Sequence, residues 1–399
     1  MSQKTGISWT DCTWNPLSGC TRISEGCRHC YAESLAATRL KESRRYKGLA
    51  VMRSDGPHWT NTINLHHEML DQPKHWKKGR RIFVNSMSDI FHIAVPPGFV
   101  KRIFNTMWEC PQHDFQILTK RTERMYRWVS RKASALEFNW GDRINHHPMN
   151  HGGLLSIFNN EMRNGCGWLA CRHGDREWNC QHPGNRNEMC HATMCPIGSS
   201  IDTPVEMQVA GIDPSDYNFT DGVAEEPDFI KLVKRPRNAF VQNAWLGTSC
   251  EDQETFDERI SWMRCIRQAL PHATLFLSLE PLLDKIDISA AIEQVHFSPL
   301  AGSTMPDRKR IIDWVIVGGE SGPKARRFVV PWAMSIREQC LKSGTAFFMK
   351  QLGSEPRFGL EGSAYRLKSR NGSDPSEWPE ELRVQEFPAN VISTLKGKP

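Results

Sequence analysis

Arg81-Ile-Phe-Val-Asn-Ser86 is a short apolar run that ends in polar residues and precedes a helix-like stretch from Pro97 to about Glu109. Five further runs of this kind occur along the chain: Phe115–Thr119, Trp245–Ser249, Leu275–Leu279, Trp314–Val317 and Ala346–Met349. Nearly continuous apolar runs are typical of strands buried on both faces, and their alternation with helices indicates parallel pairing. With a first strand near residues 7–14, the pattern predicts an α/β fold of six or seven β/α units. A full or partial TIM-like β/α barrel fits best, and a doubly wound open sheet is the alternative.

The composition limits the class of protein. The chain has 399 residues, a net charge of +6 and thirteen cysteines. It contains no run of about 18 apolar residues, so we expect it not to span a membrane. Because its N-terminus lacks the apolar stretch of a secretory signal, we expect a reducing cytoplasm, in which cysteines are metal ligands or free thiols rather than disulfides. The modest positive charge permits a polyanionic partner without requiring one.

Three cysteines lie within eleven residues near the start of the chain: Cys20, Cys27 and Cys30, in the spacing C-x6-C-x2-C. Three thiolates on one loop can hold three irons of a cubane 4Fe–4S cluster and leave the fourth iron free for a small ligand. His29 would instead complete a Cys3His zinc site, and unliganded thiols are the third interpretation. Two neighbouring glycines free the backbone to wrap around an inorganic core: Gly19 and Gly26.

Polar and charged residues directly follow the predicted strands. In a β/α barrel the active face lies at the carboxyl ends of the strands, so these residues mark a common site, onto which the cysteine loop (residues 20–30) also opens. They are Asn85, Ser86, Ser88, Asp89, Thr119, Lys120, Arg121, Ser249, Glu251, Glu280, Gly318, Gly319, Glu320, Ser321, Lys350 and Gln351. Since arginine and lysine bind carboxylate and phosphate, we expect an anionic substrate, with Lys120, Arg121 and Lys350 as its contacts. The sequence does not indicate which residue is catalytic.

The chain resembles a phage- and prophage-associated family of unknown function that carries this three-cysteine motif and looks like a divergent branch of the radical S-adenosylmethionine enzymes. The matching stretches cover roughly residues 5–130 and 240–355: Ile7–Pro16, the cysteine loop, Phe83–Asp89, Leu118–Arg121, Trp245–Ser249, Leu277–Leu282, Val317–Gly322 and Met349–Gln351. The resemblance implies a 4Fe–4S cluster whose open iron chelates S-adenosylmethionine. One electron then cleaves the sulfonium to a 5′-deoxyadenosyl radical, which abstracts a hydrogen from the substrate.

The resemblance also implies a cofactor pocket at the strand ends. The nearest candidates by strand order are Glu320 and Ser86, with Glu280 and Asp89 behind them, and the backbone of the Gly318-Gly319-Glu320 turn beside them. We therefore expect a cytoplasmic radical S-adenosylmethionine-type enzyme, in a bacterium or a phage-infected host, that modifies a nucleobase or nucleotide, including one in phage DNA. A reductant protein of the flavodoxin or ferredoxin type is implied, and a dedicated partner protein is left open. The alternatives are a zinc-stapled nucleic-acid-binding protein without redox chemistry and a metal-dependent hydrolase that uses barrel carboxylates.

The β/α rhythm stops between residues 135 and 240, where cysteine, histidine, glycine and asparagine become frequent. A small domain with little apolar core commonly depends on a metal, so we expect a Cys/His-rich metal-binding subdomain inserted into a barrel of residues 1–134 and 241–352. The preferred zinc ligands are Cys171, Cys180, Cys190 and Cys195, with Cys166 or His191 as substitutes. An auxiliary iron–sulfur cluster and unliganded thiols are the alternatives. Residues 353–399 are predicted to form a tail that packs on the barrel through Trp378 and Phe387.

Overall fold

The computed structural model describes residues 5–137, 243–296, 308–359, 362 and 366–388. The chain divides into two units, residues 1–137 with 230–399 and residues 138–229, and every described residue lies in the first. The predicted metal ligands of the insertion therefore lie outside the described residues, as does the Cys/His-rich subdomain that they were expected to form: Cys166, Cys171, Cys180, Cys190, His191 and Cys195.

Seven parallel strands form the main sheet, and their order in the sheet follows their order in the chain. They are β1 (Cys12–Trp14), β2 (Arg81–Val84), β3 (Asp114–Thr119), β4 (Ala244–Ser249), β5 (Leu275–Leu279), β6 (Trp314–Gly318) and β7 (Ala346–Gln351). The strands predicted from the apolar runs are thus confirmed. A sequential order is typical of a β/α barrel and differs from a doubly wound sheet, whose order reverses at a switch point.

The sheet curls into a half-barrel rather than a closed one. In the described part of the chain β1 and β7 are its two edges, and no further strand pairs them. The fold is therefore a mixed α/β fold with a partial β/α barrel, and the described strands do not complete a full TIM-like barrel.

Six α-helices accompany the strands of the described chain: α1 (Tyr31–Ala37), α2 (Pro97–Glu109), α3 (Thr122–Glu137), α4 (Gln253–Ala269), α5 (Ser289–Ile292) and α6 (Val330–Ser343). The helix predicted at residues 97–109 is confirmed at both ends, and it begins with a proline, which is pre-organised for the first helical turn. Asp252 caps α4, because its side chain accepts from the backbone N–H of Thr255 while the Thr255 hydroxyl donates back.

The two faces of the sheet carry two apolar cores. On one face Ile82, Leu246 and Val315 pack in the large core that also contains α2, α4 and α6. The other face carries a mainly aromatic layer: Trp9, Phe83, Trp245, Phe276, Trp314, Ile316 and Phe348. This concave layer fills the half-barrel below the carboxyl ends of the strands, so the polar strand-end residues lie above a packed floor.

Shorter elements surround the main sheet. Four pairs of short strands are Leu17–Ser18 with Asn64–Leu65, Ala50–Arg53 with Gly56–Trp59, Val295–His296 with Arg308–Lys309, and Phe328–Val329 with Pro356–Arg357. Single 3-10 turns occur at Glu25–Cys27, His67–Met69, Gln72–His75, Pro375–Glu377 and Glu380–Leu382. The hairpin of residues 50–59 and α1 share a third apolar cluster, against which Cys20 and Cys30 pack.

The C-terminal segment packs on the half-barrel. Trp378 is buried in the large core, and its Nε1 donates to Gly372 O at 2.8 Å. Phe387 contacts the concave layer, with its ring 5.4 Å from that of Trp314 and 5.3 Å from that of Phe348. No helix in the described ranges is long and apolar enough to cross a lipid bilayer.

Gly247 tests the packing of the concave layer. A Cβ at this position of β4 would lie 2.3 Å from the Phe276 ring, so we expect Gly247→Ala to destabilise the fold by about 1–3 kcal/mol through overpacking. Urea unfolding followed by tryptophan fluorescence measures this change. Gly6→Ala is the control, because nothing lies within 4 Å of a Cβ there, and it should change stability by less than about 0.5 kcal/mol. Equal stability of Gly247→Ala and the wild type would contradict the packing described here.

Candidate functional site

The cysteine loop follows β1 and lies across the carboxyl ends of the other strands. It leaves the first strand through Gly19, whose φ of +95° and whose Cβ position 2.2 Å from Thr62 O exclude a side chain. Gly19 forms a bridge with Ser88 beyond β2, and the Ser88 hydroxyl donates to Leu17 O at 3.0 Å. These contacts fix the start of the loop beside the second strand.

The three thiols of the loop lie near enough for the charges of Cys27 and Cys30 to act on Cys20. Burial raises the pKa of Cys20 to about 12, the Arg121 guanidinium opposes this rise, and charge on Cys30 and Cys27 adds to it. Burial also raises the pKa of Cys30, against the effect of the backbone N–H groups of Glu33 and Ala32. Within the described ranges no three or more His, Cys, Asp or Glu side chains are grouped closely enough to hold a metal ion.

Glu251 is a fully buried carboxylate that joins the loop to β3 and β4. It accepts from the backbone N–H of Gly26 at 3.1 Å, from Lys120 Nζ at 2.8 Å and from Arg259 Nη1 at 3.1 Å. Burial would raise its pKa, but the hydrogen bond and charge of Lys120 and the charge of Arg259 outweigh burial and lower the pKa to about 2. Glu251 is therefore ionised throughout the ordinary pH range.

The geometry gives Gly26 a role that differs from the one predicted. A Cβ on Gly26 would lie 2.8 Å from Lys120 Nζ and 2.9 Å from Glu251 Cδ. The absent side chain therefore lets the backbone N–H reach the buried ion pair. Close approach to these protein groups requires a glycine here, and its predicted role beside an inorganic core stays a prediction.

Asp89 and Arg121 form a second buried connection. Asp89 accepts from Arg121 Nη1 at 2.8 Å and from the Thr119 hydroxyl at 2.8 and 2.9 Å. The same guanidinium donates to Thr21 O at 3.2 Å and to Thr21 Oγ1 at 2.8 Å, and its Nη1 lies 3.8 Å from Cys20 Sγ. Arg121 therefore ties the first cysteine to the ends of β2 and β3.

His92 supports this connection in its neutral form. Its Nδ1 accepts from the backbone N–H of Ala94 at 3.1 Å, so Nε2 carries the proton and donates to Thr21 Oγ1 at 3.0 Å. Burial lowers the pKa of His92 to about 3, and the nearby Arg121 charge acts in the same direction. The ring is thus a fixed hydrogen-bond donor rather than a titrating group near neutral pH.

Glu320, at the end of the Gly-Gly-Glu turn after β6, makes the third connection. Its carboxylate accepts from Arg326 Nη2 at 2.6 Å, Arg326 Nε at 3.1 Å and the Arg326 backbone N–H at 2.9 Å. His29 Nδ1 lies 3.1 Å from the same carboxylate, and Arg326 Nη1 donates to Glu25 O at 2.9 Å. Although burial would raise the pKa of Glu320, the hydrogen bonds of Arg326 and His29 lower it.

Glu33 of α1 holds the loop from its other side. This buried carboxylate accepts from Arg22 Nε at 2.9 Å and from the backbone N–H of Trp59 at 2.7 Å. Tyr31 also anchors the helix, because its hydroxyl donates to Ser86 O. The loop therefore has polar contacts with α1, with the hairpin of residues 50–59 and with the strand ends.

All the predicted strand-end residues lie at the expected edge of the sheet, at or just beyond the carboxyl ends of β2, β3, β4, β5, β6 and β7. Glu280 and Lys350 form an ion pair there, with side chains about one-fifth exposed, and a Cβ on Gly318 would lie 3.4 Å from Glu280 Cδ. The Ser86 hydroxyl donates to Asn15 Oδ1 at 3.2 Å. The roles predicted for this set in binding a cofactor or substrate stay predictions: Ser86, Asp89, Lys120, Arg121, Glu280, Gly318, Gly319, Glu320 and Lys350.

Asn85 directly follows β2, and its buried side chain is unpaired among the described residues. It is 3% exposed, its φ is +60°, and neither Oδ1 nor Nδ2 has a hydrogen-bond partner among the described residues. An unpaired buried amide costs about 1–3 kcal/mol, and such strained or unsatisfied groups concentrate at functional sites. Asn85 was predicted to lie at a strand end, but no binding or catalytic role was predicted for it.

Other contributors were also missed by the sequence analysis. Glu33 reads as an ordinary acidic residue in the first turn of a helix, and His92 belongs to no motif. Thr21 lies within the cysteine loop but was given no role, and Arg326 was not predicted as the partner of Glu320. The useful signal was a charged residue placed directly after an apolar strand, which identifies Glu251 and Glu320 but not their partners.

Glu251→Gln tests the buried ion pair. Since the change leaves Lys120 and Arg259 as buried cations without their carboxylate, we expect it to destabilise the protein by about 3–5 kcal/mol at neutral pH. Urea unfolding of both proteins measures the difference. Glu68→Gln is the control, because that side chain is 65% exposed, and it should change stability by less than about 0.5 kcal/mol.

The same pair predicts a dependence on pH. The pKa of Glu251 is lowered from 4.5 to about 2 in the folded protein, so its stabilisation is complete above pH 4.5 and is lost as the pH falls toward 2. The stability difference between wild type and Glu251→Gln should therefore shrink over this interval. A difference that stays constant down to pH 2 would show that the charge of Glu251 contributes nothing.

Residues 4–375 of the chain match a family model described as Protein of unknown function (DUF5131). No curated protein and no solved structure matches the chain. Since the family model covers nearly the whole chain, this protein belongs to the DUF5131 family of unknown function.

Proposed function

We propose that this protein is a radical S-adenosylmethionine-type enzyme whose cysteine loop holds a 4Fe–4S cluster and which modifies a nucleobase or nucleotide. The observation that carries the proposal is the attachment of the loop to the ends of four strands. Polar contacts reach it from beyond β2, β3, β4 and β6, through His92, Arg121, Glu251 and Glu320. Supporting contacts of this kind hold metal-ligating side chains in fixed positions, and a plain surface loop has no need of them.

The donor set suits an iron–sulfur cluster. Thiolates are the ligands that hold such clusters, and the described residues of the loop supply three thiols without a disulfide. The Arg121 charge at Cys20 and the backbone N–H groups at Cys30 favour the thiolate form, against burial. When bound, the cluster would supply one electron to S-adenosylmethionine, from which a carbon radical abstracts a substrate hydrogen. A reductant protein of the flavodoxin or ferredoxin type is part of the proposal.

Asn85 is our candidate for the residue that receives the cofactor. Glu320 was the first choice from the sequence, but its carboxylate is already bound by Arg326 and His29. The Asn85 amide lies at the same strand-end face and has both its donor and its acceptor groups unpaired. An amide can bind an amine, a carboxylate or a ribose hydroxyl, all of which S-adenosylmethionine carries.

The hydrolase alternative receives less support. A divalent metal centre needs carboxylates that are free to coordinate. The strand-end carboxylates each have a cation already: Asp89 has Arg121, Glu251 has Lys120, Glu280 has Lys350 and Glu320 has Arg326. These pairs suit a rigid support for the loop better than a second metal centre.

Iron loading tests the cluster. Anaerobic reconstitution with iron and sulfide should give brown protein with about four irons per chain, and each single change of Cys20, Cys27 or Cys30 to Ala should abolish that absorbance. Chemical iron and sulfide analysis with a visible spectrum provides the measurement. Cys265→Ala, on α4 away from the loop, is the matched control and should keep full loading. Colourless protein that contains only zinc, or full loading in all three loop variants, would contradict the proposal.

Cofactor affinity tests Asn85. Asn85→Gly removes the amide and relieves the positive φ, so the fold should be retained and the cluster should assemble. We expect the affinity for S-adenosylmethionine to fall roughly tenfold to a hundredfold. A hydrogen bond to a charged group contributes about 1.5–3 kcal/mol, and its loss corresponds to a decrease of this size. Calorimetry under argon on the reconstituted protein measures it. Ser321→Ala, which removes only an exposed hydroxyl near Gln351, is the control, and unchanged affinity in Asn85→Gly would remove Asn85 from the pocket.

A further inference from the structure

The segment from Arg39 to Arg53, which joins α1 to the hairpin of residues 50–59, holds most of the net charge of the chain. It contains six basic residues and one acidic residue: Arg39, Lys41, Arg44, Arg45, Lys47 and Arg53, against Glu42. Its net charge is therefore +5, whereas the whole chain has a net charge of +6. Such concentration in fifteen residues predicts a surface that attracts polyanions.

The cations of this basic segment differ from those at the strand ends. Lys120, Arg121, Arg326 and Lys350 each pair with a carboxylate in the interior of the site. None of the six side chains of the basic segment forms an ion pair with another described residue, and five of them are exposed. Unpaired exposed cations are available to phosphate groups, since no internal carboxylate has to be displaced.

The basic segment is fixed beside the cysteine loop. Tyr46 and Leu49 belong to the apolar cluster that also contacts Cys20 and Cys30. The Ser18 hydroxyl donates to Arg45 O at 2.7 Å, which attaches the middle of the segment to the strand before the loop. Ligand held by these cations would therefore lie next to the proposed cluster.

Arg45, the one partly buried cation of the segment, lines a cleft of about 420 Å³ at the β1 edge of the half-barrel. Tyr31 forms another wall, with 51% of its surface exposed and its hydroxyl held by Ser86 O. Gln72 also lines the cleft, and its buried Oε1 has no hydrogen-bond partner among the described residues. The cleft thus combines a fixed aromatic ring, an unused acceptor and a cation, and small-molecule sites have volumes of about 300–1,000 Å³.

We infer that the basic segment and this cleft bind single-stranded nucleic acid, with phosphates on the exposed cations and one unstacked base in the cleft. An aromatic ring stacks on any base, and the unpaired Gln72 Oε1 accepts from a base N–H group, such as N3–H of thymine. A duplex keeps its bases stacked, so the cleft selects single strands or bases flipped out of a helix. This inference names the substrate class of the enzyme and rests in that respect on the proposed function.

Fluorescence anisotropy with a labelled oligothymidylate of about 12 nucleotides, a length within the usual site size, tests the basic segment. The variant Lys41→Glu/Arg44→Glu/Lys47→Glu changes three exposed side chains, and we expect it to bind at least tenfold more weakly than the wild type. Removing three phosphate contacts should also make the negative slope of log affinity against log salt concentration shallower by about 2. The control Lys285→Glu/Lys368→Glu/Arg370→Glu makes the same change of net charge at exposed positions elsewhere and should retain binding.

A second pair of variants tests the cleft. Tyr31→Leu should weaken binding about fivefold to a hundredfold, the effect of losing one stacked base, without changing the salt slope. Tyr31→Phe keeps the ring and should bind nearly as well as the wild type. Circular dichroism and urea unfolding establish that each variant is folded before its affinity is compared.

Several results would overturn the inference. They are no binding by the wild type, equal loss in the control triple variant, tighter binding of a duplex than of the single strand, or wild-type affinity in Tyr31→Leu. The measurement does not depend on the cluster, so it separates this inference from the proposed function. Iron loading without oligonucleotide binding contradicts only the inference, whereas oligonucleotide binding by a protein that never takes up iron contradicts only the radical chemistry.

Discussion

The buried carboxylate of Glu251 is the interaction on which the site depends. It accepts from the backbone of the cysteine loop, from Lys120 directly after β3 and from Arg259 of α4, so one side chain fixes three parts of the molecule together. Burying a carboxylate is expensive unless cations and hydrogen-bond donors compensate, and here Lys120, Arg259 and Gly26 provide them. Asp89 and Glu320 follow the same plan with their own arginines. Internal ion pairs at the strand ends of the half-barrel thus hold the cysteine loop in place.

The local pattern of the sequence determines the strands but not their partners at the site. Apolar runs such as Leu275–Leu279 are buried on both faces, which is why every main strand could be predicted, and Pro97 marks the start of its helix. Two contacts that hold the loop are Gly26 with Glu251 and His29 with Glu320, and their partners are 225 and 291 positions apart in the chain. No local pattern in the sequence records which carboxylate will meet which group of the loop. The polar strand ends were therefore predictable as a set, whereas Glu320 as the partner of His29 was not.

Charge is used in two separate ways in this chain. Cations near the strand ends are neutralised by carboxylates and stabilise the fold. The number of such cations therefore says little about whether the site binds an anionic ligand. The basic segment has almost no acidic neighbours in the sequence, and this asymmetry was visible there without a structure. Its proximity to the cysteine loop was not, because it results from the apolar cluster that Tyr46 and Leu49 share with Cys20 and Cys30.

Phe387 has a consequence for biosynthesis. Its ring lies under the Arg81 guanidinium at 4.1 Å and against Trp314, so it completes a layer that also contains Trp9, which is synthesised far earlier. The concave layer therefore stays incomplete until Phe387 has left the ribosome. Glu251 and Glu320 also emerge long after the three thiols that they help to position. The three cysteines are therefore synthesised well before the residues that hold their loop, and the loop reaches its final geometry only after those residues have joined the half-barrel.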